Sequence, residues 1–282
     1  MCPHDPSFTH IDCVYSCSHW SKDKEDPRIV ISRFIQQIDQ SYNEISGIVH
    51  KSIKYGEGDK RVIEVWGDEC TCDSLLIWIH GGYWQGSPVC ASLLVRSLNK
   101  NGIIVASIGY EYAEEGRPIT AITLDVSIAI KTILSIFTKV GRIVVGGHSA
   151  GAQLAYQASL LITYPLITGL ALFSGIYDLS ELIGTVIGIP IGLTQQDAIV
   201  SSCNGNEWNE GDVDILLFNG EYDSPSLRTM TGGMYERLRK NGMKTKWREV
   251  EGEDHFSLIQ GLNQEDKQQT RLLIQFCCTQ AL

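Results

Sequence analysis

The sequence predicts an α/β fold: a mostly parallel central sheet of about eight strands with helices on both faces. Three observations carry this. Short apolar runs without alternation recur along the chain, the pattern of strands buried on both faces. Helical patterns separate these runs, and parallel neighbours need such crossovers. Glycine is abundant, 27 of 282 residues, and proline scarce at 8, which suits tight strand-to-helix turns rather than a proline-rich linker.

Residues 1–27 are polar and read as an irregular N-terminal arm; residues 28–282 read as a single domain. Ile31, Phe34, Ile35, Ile38, Tyr42 and Ile45 recur at three- and four-residue steps and make one apolar helix face. Strand candidates at 47–55 and 61–66 flank Gly56-Glu57-Gly58-Asp59, a hairpin turn. Buried strands follow at 75–79, 103–108, 143–145, 170–173 and 215–218, with a last strand at 245–250. Helices are expected at 88–100, 119–140, 150–162, 225–240 and 263–278. Asn101-Gly102 and Asn241-Gly242 are C-terminal stop signals. Residues 180–213 lack periodicity and read as an excursion over the sheet edge.

Composition excludes several classes. At 282 residues the folded surface scales to roughly 12,000 Å² against about 45,000 Å² unfolded, enough for a large core. The formal charge of −10 argues against a nucleic-acid partner, which needs clustered Lys and Arg. The first 30 residues carry no apolar leader segment. Residues 143–177 contain no Asp, Glu, Lys or Arg, but Gly146, Gly147, Gly151 and Pro165 interrupt them, so no membrane span is expected. Nine cysteines, an odd number with no C-x-x-C pair, read as reduced thiols of a cytoplasmic protein. Cys13, Cys17 and His19 are close in sequence, but no fourth ligand is evident, so neither metal nor cofactor is expected. The expected partner is a small-molecule substrate, and a homodimer is the candidate assembly.

The sharpest chemical signal is Gly147-His148-Ser149-Ala150-Gly151, between a buried strand and a helix. In that context G-x-S-x-G places a serine on a strained turn above the carboxyl edge of the sheet. A serine hydroxyl needs a base, and of seven histidines only His255 follows Ser149. Asp223, just after the 215–218 strand, is the chosen acid; Asp178 is its rival, with a helix-capping role as the alternative. Oxyanion donors are expected from the Ala150 N–H and from Gly81 and Gly82, in a loop whose glycines let N–H groups turn inward. His80 in that loop reads as structural rather than as a second base. Tyr83 and Trp84 are candidates for an aromatic substrate wall, the equal alternative being that at least one packs in the core.

Together these pieces resemble the α/β-hydrolase superfamily and, within it, the kynurenine formamidases, or arylformamidases. The resemblance rests on His80-Gly81-Gly82-Tyr83-Trp84-Gln85 and Gly147-His148-Ser149-Ala150-Gly151-Ala152. It extends to Phe173-Ser174-Gly175-Ile176-Tyr177-Asp178-Leu179, Tyr222-Asp223-Ser224-Pro225 and Asp254-His255-Phe256. It implies an α/β-hydrolase fold and hydrolysis of N-formyl-L-kynurenine to L-kynurenine and formate, in tryptophan breakdown, without a cofactor. Tyr83 stands where hormone-sensitive-type esterases carry a third glycine. A general carboxylesterase is the runner-up reading. A catalytically dead hydrolase fold used for binding is the third; such proteins usually lack the serine or the histidine.

Overall fold

A computed structural model describes residues 2–162, 166–209, 211 and 213–279. Pro165, residues 210 and 212 of the excursion, and the chain ends at 1 and 280–282 lie outside them. Eight strands form one sheet: β1 (His50–Lys54), β2 (Val62–Trp66), β3 (Ser74–Ile79), β4 (Ile103–Ile108), β5 (Arg142–His148), β6 (Gly169–Phe173), β7 (Asp214–Gly220) and β8 (Thr245–Val250). Their order is β1-β2-β4-β3-β5-β6-β7-β8. β1 and β2 make the expected hairpin, with Lys54 opposite Val62, and β2 runs antiparallel to β4. All remaining pairs are parallel.

The helices are α1 (His10–Tyr15), α2 (Pro27–Glu44), α3 (Ser92–Lys100), α4 (Ile119–Ile136), α5 (Ala150–Ser159), α6 (Gln195–Ser201), α7 (Pro225–Lys240), α8 (Ser257–Gln260) and α9 (Gln268–Cys278). Alternate residues of a strand face opposite sides. Leu75, Ile77 and Ile79 of β3 therefore join Ile122, Val126 and Ile130 of α4 on one face. Leu76 and Trp78 join Leu94 and Leu98 of α3 and Phe276 of α9 on the other. Each such buried side chain stabilises the fold by about 1.5–3 kcal/mol relative to exposure. Among the described residues α4 is the one helix long and apolar enough to span a membrane, yet half of it is buried and it packs on α5 and β4.

Several boundaries move from their sequence expectation. The 88–100 helix opens as a 3-10 turn, Pro88–Ala91, before α3. α4 ends at Ile136 because Phe137 leaves the helical region, with ψ of 74°, and buries its ring. α9 starts at Gln268, after a polar run that turns instead of coiling. The non-periodic excursion contains α6, whose Asp197 accepts the Ile119 N–H and so caps α4.

The largest departure is at the N-terminus. Residues 1–27 are expected to be irregular, but they contain α1 and a 3-10 turn, Cys17–Trp20. Thr9 and Asp12 form a reciprocal capping box on α1. Tyr15 and Cys13 are fully buried. The segment is anchored at two places: Val186 N–H donates to Asp12 Oδ1 at 2.9 Å and the Tyr15 hydroxyl to Glu181 Oε2 at 2.9 Å; further on, the Ser21 hydroxyl and Lys22 N–H donate to Asp254 Oδ2 at 2.8 and 3.0 Å. Six helical residues give too few turns for an apolar stripe to be read. The Thr9–Asp12 spacing is the signal that could have found it.

Candidate active site

Ser149 stands between β5 and α5, with φ of 57° and ψ of −122°. This positive φ is costly for a non-glycine residue and marks a strained elbow. The close packing beside it requires Gly151, where an added Cβ would meet Ile79 O at 2.1 Å and His80 O at 2.5 Å. Ser149 N–H donates to Phe173 O at 2.8 Å, extending the β5–β6 ladder to the elbow. The serine is 2% exposed.

Asp223 and His255 arrive on the loops after β7 and β8, two neighbouring parallel strands, so the sheet brings them to the same edge. His255 Nδ1 lies 3.0 Å from Asp223 Oδ1 and 3.3 Å from Oδ2. Ser224 N–H also donates to Asp223 Oδ1, at 2.7 Å. Both side chains are buried. Burial by itself pushes the His255 pKa down, but its neighbours Cys17 and Asp223 more than offset this and raise it well above the ordinary imidazole value. His148, whose ring centroid lies 4.3 Å from that of His255, is held neutral by burial and by that neighbour.

The His255 loop has its own clamp. Asp254 Oδ1 accepts the N–H groups of Phe256 and Ser257 at 2.9 and 2.7 Å, while its other oxygen takes the two donors from residues 21 and 22. Burial opposes the Asp254 charge, but these donors outweigh it and keep its pKa below the ordinary carboxylate value.

Gly81 is pressed against the elbow: an added Cβ would lie 3.0 Å from Ser149 Cβ and 2.5 Å from His148 O. Gly82, Tyr83 and Trp84, which follow it, all have positive φ and make a tightly coiled loop. Ala150 N–H belongs to the first turn of α5, where no intrahelical carbonyl is available to it. Ser149, Gly81 and Ala150 thus meet at one point. His255 packs beside His148, the residue before Ser149, and its ring makes no hydrogen bond to Ser149 Oγ in this structure.

His80 is buried, its Nδ1 lies 3.1 Å from Gly81 O, and Tyr110 stacks on it at 4.1 Å. Burial pushes its pKa down to about 4, so it stays neutral, as a structural histidine. Trp84 does not line a pocket. It is fully buried, and its Nε1–H donates to Gln153 Oε1 at 2.9 Å inside the core. The φ reversal at Tyr83 and Trp84 turns the indole inward. Tyr83 faces the N-terminal segment, donating its hydroxyl to Tyr15 O. Asp178 is exposed and accepts the N–H and hydroxyl of Ser180 at the start of a 3-10 turn, and it makes no hydrogen bond to His255. Of the residues not foreseen at the site, Cys17 is foremost. Its sulfur, an Asp223 oxygen and a His255 ring nitrogen lie within 4.8 Å of one another.

Comparison with known proteins agrees with this architecture. A family profile for the alpha/beta hydrolase fold matches residues 76–187. The kynurenine formamidase of Salmo salar is 27% identical over 287 residues, covering 96% of each chain. That of Drosophila melanogaster is 28% identical over 302 residues, covering 96% of this chain and 98% of its own. The crystal structure of a candidate thioesterase from Silicibacter superposes with a TM-score of 0.80 at 21% identity, covering 96% of this chain and all of that one. The chain therefore has the α/β-hydrolase fold, and its sequence resembles the kynurenine formamidases along almost its whole length.

Proposed function

We propose that this chain is an arylformamidase that hydrolyses N-formyl-L-kynurenine to L-kynurenine and formate. The likeness to curated kynurenine formamidases over 96% of the chain carries the reading. The Asp223–His255 pair at the strained Ser149 elbow supports it. Ser149 Oγ attacks the formyl carbon while His255 takes its proton, and Asp223 fixes the imidazole tautomer and stabilises the imidazolium. The oxyanion lies toward the N–H groups of Ala150, Gly81 and Gly82. His255 then protonates the arylamine, whose nitrogen lone pair is delocalised into the ring and leaves more readily than an alkylamine. Water activated by His255 releases formate from the formyl-serine.

The test is turnover of N-formyl-L-kynurenine by the purified chain, with p-nitrophenyl acetate as the comparison substrate and Ser149→Ala as the control. Fast formamide turnover lost in the variant is expected. A preference for acetyl or longer esters would move the chain to the general carboxylesterases. No reaction with a fluorophosphonate probe would leave a fold used for binding.

A further inference from the structure

The N-terminal segment brings together Cys2, Cys13 and His19, three residues with no part in the hydrolysis. One donor atom from each lies within 4.8 Å of the others. Both sulfurs are buried, and in this structure they are joined as a disulfide. Two further observations describe the site. His19 Nδ1 lies 3.6 Å from Cys2 Sγ. A thiolate and an imidazole on one tetrahedral zinc, with bonds of about 2.3 and 2.0–2.1 Å, stand about 3.6 Å apart. Cys2 Sγ also accepts the N–H groups of His4 and Asp5, each at 3.4 Å. The sequence pairing of Cys13 with Cys17 and His19 omitted Cys2, the donor that makes the cluster.

We propose that Cys2, Cys13 and His19 bind a zinc ion through three protein ligands when the two cysteines are reduced. The other seven cysteines are free, and Cys70 and Cys278 are exposed, a profile that suits a reducing compartment. The chemistry balances simply. A small dithiol gives up two electrons and two protons to the S–S bond, leaving two protein thiols and an oxidised dithiol. Zn²⁺ then displaces both thiol protons to water and takes His19 Nδ1 as third ligand, with a water in the fourth position. The ion ties the start of the chain to α1 and to the 3-10 turn, the segment that places Tyr15 and Cys17 over the hydrolytic residues.

The experiment uses the full chain, reduced with a dithiol, freed of it, loaded with Zn²⁺ and passed through gel filtration before metal analysis. Co²⁺ loading in parallel reads thiolate ligation by its sulfur-to-cobalt charge-transfer band, without any variant. The expected result is one ion per chain with that band present. Cys2→Ser and His19→Ala should weaken zinc binding by about 100-fold or more, while Cys17→Ser should not. Absence of bound zinc, or of the cobalt band, overturns the proposal. So does binding that survives Cys2→Ser and disappears in Cys17→Ser, which would put the ion on Cys17, Asp223 and His255.

Discussion

The carboxyl edge of the sheet and the N-terminal segment above it meet at His255 but are built differently. The edge is made of short-range devices: a strained turn, a glycine where backbones touch, and loops that leave adjacent parallel strands. The segment is made of long-range ones, with Asp12 bound to residue 186, Tyr15 to 181, and Ser21 to 254. On the proposed mechanism the chemistry belongs to the first region and its surroundings to the second. Substitutions in the two should differ in kind as well as in size.

The largest effects belong to the edge. Ser149→Ala should lower kcat/KM by on the order of 10³–10⁶-fold, and Asp223→Asn by on the order of 10⁴-fold, with the fold intact by circular dichroism. Near-normal turnover by either variant would break the division between the two regions.

A smaller effect tests how the segment tunes the edge. On the proposed mechanism His255 must be neutral to act as base, so kcat/KM should fall as pH drops through its pKa. Cys17 and Asp223 raise that pKa, while burial lowers it and His148 at its side stays neutral. The acid limb of the wild-type profile should therefore lie above the ordinary imidazole value of about 6.5. Cys17→Ser should move the limb to lower pH and leave the plateau rate within about tenfold, because the serine still fills the position. A limb that does not move would remove Cys17 from the electrostatics of the base.

A third effect is stability without chemistry. Ser21→Ala removes one donor from the buried Asp254, which keeps those of Lys22, Phe256 and Ser257. The cost should be about 1–3 kcal/mol in thermal or urea denaturation, with kcat changed little. A large loss of kcat would make the segment part of the catalytic geometry.

The same division explains what could be read in advance. Ser149, His255 and the eight strands are written in local pattern: a motif between a strand and a helix, one downstream histidine, and apolar runs. Cys17 and Ser21 carry no such pattern, because their partners lie 32 residues apart in Asp223 and His255 or far along the chain in Asp254. Trp84 misleads for a related reason. An aromatic beside Gly81 and Gly82 suggests a pocket wall, but backbone dihedrals that sequence does not display turn the indole into the core. Tyr83, next to it, points the other way, to Tyr15.

The smallest predicted effect decides between the two acids the sequence offered. Asp178 follows β6 and could have oriented His255 from there. Its carboxylate instead accepts the N–H of Ser180 at 2.9 Å and the hydroxyl at 2.6 Å, on the exposed surface. An asparagine there keeps a carbonyl oxygen for both donors, so the turn survives. Asp178→Asn should leave kcat/KM within about twofold and cost under about 1 kcal/mol of stability, as surface changes do. The His255 limb of the pH profile should not shift, because no contact joins the two side chains. If Asp178→Asn instead removed activity while Asp223→Asn kept it, the observed Asp223–His255 bond would be structural and the acid would come from β6.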